Sequence, residues 1–318
     1  MANLTMITGF LLMSFSNTWE MQVLHIMLFL LIYLMALMGN LLIFTLICLD
    51  MCLHTPMYFF LKNLSFLDFC FITVTVPKSI INSLSHSYFI SYLGCATQVF
   101  LVILFAASEV FILTAMSYDR YVAICQPLHY EMIMKEEACM KMAAASWFTG
   151  GMIGLMYAVS TFSLPFCGSK EIHQFFCDVN SLLKIACSKS HIAVDVTIVI
   201  GSILVILCCI FIAISYGQIF STVLKIPTTE GQSKAFSTCL PHLIILTVFV
   251  TTGAMAYLKP PLDSYTILDL LLSVLYTMVP PTLNPVIYSL RNKDMKTSMK
   301  KLIAKTHFSE RLIAKAFH

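Results

Sequence analysis

Charge is what this 318-residue chain has least of. Only 11% of its residues are Asp, Glu, Lys or Arg, against 59% hydrophobic. A water-soluble domain carries about 25% charged and about 45–50% apolar residues. The polar surface that a soluble protein of this length requires is missing, so the apolar excess must face lipid. The formal net charge of +3 is too small to argue for nucleic acid as a partner. The first twenty residues hold no Lys or Arg, which removes the basic region of a signal peptide and leaves the first apolar stretch to act as its own insertion signal. Catalytic sets are missing too. There is no Gly-rich phosphate loop, no Gly-x-Ser-x-Gly elbow and no His-Glu-x-x-His. Twelve cysteines show no Cys-x-x-Cys spacing, and no His-x-x-x-His accompanies them. An enzyme or a metal-binding module is therefore disfavoured.

What remains is a set of long apolar runs. Seven are marked, at residues 23–49, 57–77, 98–119, 142–164, 196–223, 238–258 and 267–290, each close to the roughly 20 residues that cross hydrocarbon. They are too long and too evenly apolar for the alternating pattern of a barrel, which predicts an all-α membrane protein, a bundle of seven transmembrane helices. Fourteen Lys and Arg fall on one side of these spans, among them Lys62, Arg120, Lys135 and Lys141, and five on the other, including Lys78 and Lys170. Positive charge collects inside, so the N-terminal tail (1–22) is expected outside, the basic tail (291–318) in the cytoplasm, and the seven-helix bundle between them at 23–290. Asn3-Leu4-Thr5 is an N-glycosylation acceptor consistent with an exported tail. In the C-terminal tail Met295, Met299 and Leu302 recur at helical spacing among Lys293, Lys296, Lys300 and Lys301. That pattern predicts a short interfacial helix drawn to anionic membrane lipid.

The few polar groups inside the spans are costly there and mark function. Asp68 and Glu109 lie mid-way along the second and third spans, with Asn40 and Asn284 at mid-span in the first and seventh. Two carboxylates at one depth share a proton, hold a small cation, or serve as neutral hydrogen-bonding glue. Asp119-Arg120-Tyr121 ends the third span on the inner side. An Arg held by a neighbouring Asp is either an interfacial anchor or a two-state element that exchanges partners as helices move. In the seventh span Pro285 removes a backbone donor, and Asn284 is expected to satisfy the groups this frees. His242 in the sixth span reads as a packed hydrogen-bonder. On the outer side Cys95, Cys167, Cys177 and Cys187 form an even set in an oxidising compartment, which favours two disulfides in any of three pairings. The other eight cysteines are expected to pack as free thiols.

Several longer motifs now line up: Gly39-Asn40, Leu53-His54-Thr55-Pro56-Met57-Tyr58-Phe59-Phe60-Leu61, Met116 through Cys125, Ser215-Tyr216, Lys234-Ala235-Phe236-Ser237-Thr238-Cys239, and Pro285-Val286-Ile287-Tyr288-Ser289-Leu290-Arg291-Asn292. In this order and combination the chain resembles the olfactory receptors of the tetrapod type (class II), a branch of the rhodopsin-like G-protein-coupled receptors. The resemblance implies a Cys95–Cys177 bridge from the third helix to the second outer loop, leaving Cys167–Cys187 as the second. It implies an activation switch of Asp119, Arg120, Tyr216 and Tyr288 facing the G protein, and a sodium-type site at Asp68 and Glu109, with no other cofactor. The odorant pocket it implies lies in the outer halves of the third, fifth, sixth and seventh helices. Counting by helical turns suggests Val102, Ile103, Ala106, Ala107, Ile200, Leu204, Val250, Gly253, Ala254, Tyr257 and Thr277. Tyr257 and Thr277 are its hydrogen-bonding candidates.

Val102 stands where aminergic relatives carry a carboxylate, so a small, neutral, hydrophobic odorant is expected. The implied partner is a stimulatory, olfactory-type heterotrimeric G protein that raises cyclic AMP. The implied location is the plasma membrane, in the cilia of olfactory sensory neurons. Two departures from the family pattern stand out: Pro241 precedes His242 where many relatives have Ser, and Val250 occupies a position that is often aromatic. The rival reading is a small ion- or proton-coupled transporter using Asp68 and Glu109. It predicts paired internal repeats, and none is seen.

Overall fold

The computed structural model describes residues 8–13, 18–85, 87–166, 170–187, 191–257, 267–291, 294–302 and 304. In chain order it runs through strand β1 (Gly9–Leu12), helix α1 (Trp19–Leu49), α2 (Pro56–Ser85), β2 (Phe89–Ser91), α3 (Tyr92–Cys125), α4 (Tyr130–Ile133), α5 (Glu136–Phe162), β3 (Glu171–Ile172), α6 (Val179–Ile185), α7 (Ile192–Val223), α8 (Thr229–Tyr257) and α9 (Ile267–Arg291). Seven of these helices, all but the short α4 and α6, are long and apolar enough to cross a membrane. Residues 294–302 form a further helix in the tail.

Most of the helices run several residues past the stretches expected from hydropathy, because protein and headgroup surroundings continue to satisfy the backbone beyond the hydrocarbon. Local signals set the ends. The Ser91 hydroxyl accepts the Gly94 N–H at 3.1 Å and caps α3. Pro127 stops the same helix two residues after Cys125. Pro56 opens α2, where its missing N–H has no cost.

Helix α3 is the axis of the bundle, packed by α2, α5 and α7. Its contact with α5 is unusually close because two glycines face it. A Cβ on Gly150 would run into Ser108 Oγ and sit 2.8 Å from Leu104 O, and one on Gly154 would sit 2.7 Å from Phe100 O. The small-residue pattern of membrane helix pairs thus works inside this bundle. On α7, by contrast, Ile203, Ile206, Leu207 and Ile210 are all exposed, the apolar face that lipid covers.

One feature departs from the all-helical expectation. β1, from the N-terminal tail, is the central strand of a three-stranded sheet in the order β2-β1-β3. It pairs antiparallel with β2 (Phe10 opposite Ile90) and parallel with β3 (Leu11 opposite Glu171), stapling the α2–α3 connection to the α5–α6 connection. Phe10 is fully buried and packs against the rings of Tyr92, Phe162 and Phe166. The tail helix also differs from a purely lipid-facing segment. Met295 is buried in the main core, and Met299 and Leu302 pack against it, while Lys296, Lys300 and Lys301 stay exposed.

Candidate functional site

At the end of the bundle that carries the sheet, Cys95 of α3 is bonded to Cys177 in the loop before α6. Gln98, one turn further along α3, secures the same junction. Its Oε1 accepts the Cys177 N–H at 2.8 Å and its Nε2 donates to Val74 O of α2 at 2.8 Å. Cys187 is also disulfide-bonded, whereas Cys167 lies outside the described residues, as does the acceptor Asn3. Phe166 and Ala186, the residues just before these two cysteines, form an antiparallel bridge. The eight remaining cysteines are free.

The expected pocket residues differ in burial. Val102 is buried, Ile103, Ala106, Ala107, Leu204, Val250, Gly253 and Ala254 are half-buried, and Ile200 is exposed. A Cβ at Gly253 would meet nothing within 4 Å, so α8 borders open space there. Tyr257 closes α8, and its side chain lies outside the described residues. Thr277 requires correction as a ligand hydrogen-bonder. It is fully buried, and its hydroxyl donates to Ser273 O at 2.6 Å within its own helix. Its neighbour Tyr276 is buried as well, its hydroxyl donating to Asp178 Oδ1 in the loop before α6 at 3.4 Å.

In the middle of the bundle Asn284 joins the two carboxylates. Its Nδ2 donates to Asp68 Oδ2 at 2.8 Å and to Glu109 Oε1 at 3.3 Å, and both acids are buried. Asp68 Oδ1 has no hydrogen-bond partner. An all-oxygen pair with one orphaned buried oxygen fits a small hard cation. Asn284 is therefore not the residue that repairs the backbone at Pro285. The carbonyl that Pro285 deprives of its helical donor is that of Pro281, and Asn40 Nδ2 of α1 reaches it at 2.8 Å. Gly39 makes this reach available, because a Cβ there would come within 2.8 Å of Pro285 Cβ. The Gly39-Asn40 pair and the proline of the seventh span are two halves of one joint.

At the C-terminal end of α3 Arg120 is paired with Asp119, Nη2 to Oδ2 at 2.8 Å. Asp119 is fully buried, and its other oxygen accepts the Tyr130 hydroxyl of α4 at 2.7 Å. Burial pushes the Tyr130 phenol above its ordinary range, and the adjacent Asp119 charge pushes it further. The phenol thus stays a donor. His242 of α8 lies 3.0 Å from Leu113 O through Nε2, which fixes Nε2 as the protonated nitrogen and leaves Nδ1 to accept the Tyr216 hydroxyl at 2.7 Å. Tyr288 rests against Met116 Sδ at 4.0 Å. Arg120, Tyr216 and Tyr288 thus each have a separate partner, and the inner ends of α3, α7 and α8 are drawn together.

A family model described as olfactory receptor matches residues 29–306. The chain belongs to the olfactory receptor family. Human olfactory receptor 14A2 is 59% identical over 310 residues, covering 98% of this chain and 99% of that protein. Human olfactory receptor 14A16 is 56% identical over 303 residues, with 95% and 98% covered. The crystal structure of squid rhodopsin superposes with a TM-score of 0.69 over 92% of this chain and 88% of its own, at 17% identity, a likeness of fold. The receptor is thus a multi-pass membrane protein with the rhodopsin-like arrangement of seven helices, and by family it is not an enzyme. Gln98, Tyr130 and Tyr276 escaped the sequence reading. Nothing in their spacing separates them from other polar residues at helix ends, and only the pairing of distant elements reveals their roles.

Proposed function

We propose that the receptor binds small, neutral, hydrophobic odorants between the outer halves of α3, α7, α8 and α9 and activates a stimulatory olfactory-type G protein, raising cyclic AMP. The observation that carries this reading is the inner lock: Arg120 paired with a fully buried Asp119, which Tyr130 holds from its other side. Outward movement of the inner ends of α7 and α8 separates Tyr216 from its present surroundings and frees Arg120 to exchange Asp119 for the G-protein α-subunit. An odorant favours that state only by its differential affinity for it. The N-terminus is outside and the tail cytoplasmic in this reading, the site of action is the cilium of the olfactory sensory neuron, and a sodium ion held by Asp68 and Glu109 belongs to the resting state.

Arg120→Ala is expected to reduce odorant-driven cyclic AMP to that of cells lacking the receptor while surface staining remains measurable. Full signalling in that variant would reject the mechanism.

Ligand size provides the second test. Since a Cβ at Gly253 meets nothing within 4 Å, Gly253→Leu starts its added apolar volume into open space. Surface delivery should be unchanged, and the longest members of a homologous odorant series should lose potency by roughly tenfold, about two methylenes' worth of burial. Short homologues should keep theirs. Equal losses across the series would place Gly253 away from the ligand. The buried Val102 offers no counter-charge, so protonated amines should be poor agonists.

A further inference from the structure

The tail helix is latched to the turn after α1 by a polar joint. Ser298 Oγ donates to Asp50 Oδ2 at 2.6 Å, and Lys301 Nζ stands 3.5 Å from the same oxygen. Asp50 Oδ1 accepts the Cys52 N–H at 3.1 Å. A second contact runs alongside, the Tyr58 hydroxyl of α2 donating to Asp294 Oδ2 at 3.1 Å. Ser298 is only 4% exposed, while Lys296, Lys300 and Lys301 around it are open to solvent. One neutral hydroxyl therefore faces a carboxylate, inside a run that has lysines at positions −2, +2 and +3 from it.

We propose that Ser298 is a phosphorylation site for a basophilic serine kinase, and that its phosphate releases the tail helix from the turn at Asp50. In the transfer the Ser298 oxygen bonds to the γ-phosphorus of Mg·ATP and the bond from that phosphorus to the ADP oxygen breaks. The hydroxyl proton passes to the kinase's base and ADP leaves. Because the hydroxyl is covered when the helix is docked, the kinase takes the undocked helix. The product then cannot redock, since a donor to Asp50 has become a group of charge about −2 facing a carboxylate. Phosphorylation thus traps a pre-existing minor state. Ser298's hydroxyl, with the Cys52 N–H, also holds the Asp50 carboxyl down to about 2. Its contribution to docking is complete above its ordinary value near 3.8 and is lost only as pH falls through about 2. Ordinary changes in cellular pH leave the latch closed, and a covalent change opens it.

The inference rests on the cytoplasmic placement of the tail proposed above. That is checked separately: a C-terminal epitope on the full chain should stain only permeabilised cells, and staining of intact cells would overturn the topology. With purified full-length receptor, Mg·ATP and the catalytic domain of a protein kinase C-type enzyme, phosphopeptide mass spectrometry should find phosphate on Ser298. Asp50→Ala should speed its appearance at least about fivefold by freeing the helix. Phosphate confined to Thr297, or an unchanged rate in Asp50→Ala, would overturn the proposal. Hydrogen exchange of the amides at 294–302 reads the latch directly. Ser298→Glu, or phosphorylated wild type if that variant does not accumulate, should exchange about tenfold faster than wild type. Ser298→Ala should show a smaller rise, and Asp50→Lys combined with Ser298→Glu should restore protection. Wild-type exchange in Ser298→Glu, or no rescue by Asp50→Lys, would count equally against it.

Discussion

Gly150→Leu is expected to abolish delivery of the receptor to the cell surface. The reason is backbone geometry, not polarity. At this crossing α3 approaches α5 so closely that even a Cβ on residue 150 would meet Ser108 Oγ and the Leu104 carbonyl. The carbonyl belongs to a helix and cannot rotate away. Ser108 is itself engaged, its hydroxyl donating to Ser146 O at 3.3 Å. Accommodating even alanine requires the helices to part, which loosens the packing about the central helix. Overpacking a well-filled core costs about 1–3 kcal/mol, and Leu, which adds three more carbons against the same backbone, should exceed that range. The graded series is the informative one. Gly150→Ala and Gly154→Ala should lower the melting temperature of purified receptor measurably. Gly217→Ala and Gly253→Ala, where a Cβ meets nothing within 4 Å, should leave it within error. Equal melting of all four would mean that α3 and α5 do not pack this closely.

How much of this was legible beforehand depends on the range over which each interaction acts. The spans were legible because lipid leaves a chain few ways to satisfy its backbone, so apolar length alone announces a helix. The carboxylates at 68 and 109 were legible as exceptions to the same rule. What stayed hidden needed two distant elements at once. Asn284 looked like the group that satisfies the carbonyl freed by its neighbour Pro285. The structure gives that work to Asn40, because a proline ring frees the carbonyl four residues back and Asn40 Nδ2 of α1 reaches it. Thr277 looked like a pocket donor because it sits on the right helical face, but a threonine in a helix often returns its hydroxyl to the preceding turn. The strand at Gly9–Leu12 was read as plain tail. Four residues give no usable period, and its partners lie in two loops far along the chain.

Asn284→Leu should damage the bundle more than its conservative size suggests. One amide nitrogen serves both Asp68 Oδ2 and Glu109 Oε1, and Asp68 already has one oxygen without a partner. Leucine removes the shared donor and returns nothing, so two buried carboxyl groups face each other across apolar surroundings. Leaving a buried group without its hydrogen-bond partner costs about 1–3 kcal/mol, and here two groups lose theirs and cannot reach water. The loss should appear as a large drop in melting temperature of the purified receptor. Its cause can be separated from lost packing by a second substitution. Glu109→Gln in the Asn284→Leu background removes one acid and supplies a new amide donor for Asp68, so part of the loss should return, a non-additive result. If the two effects simply add, the damage comes from shape and not from the carboxylates. The same melting measurement tests for a bound cation. Wild type should be more stable in sodium chloride than in choline chloride at equal ionic strength, and Asp68→Asn should erase the difference. No difference in wild type would mean that the pair depends on Asn284 and a shared proton alone.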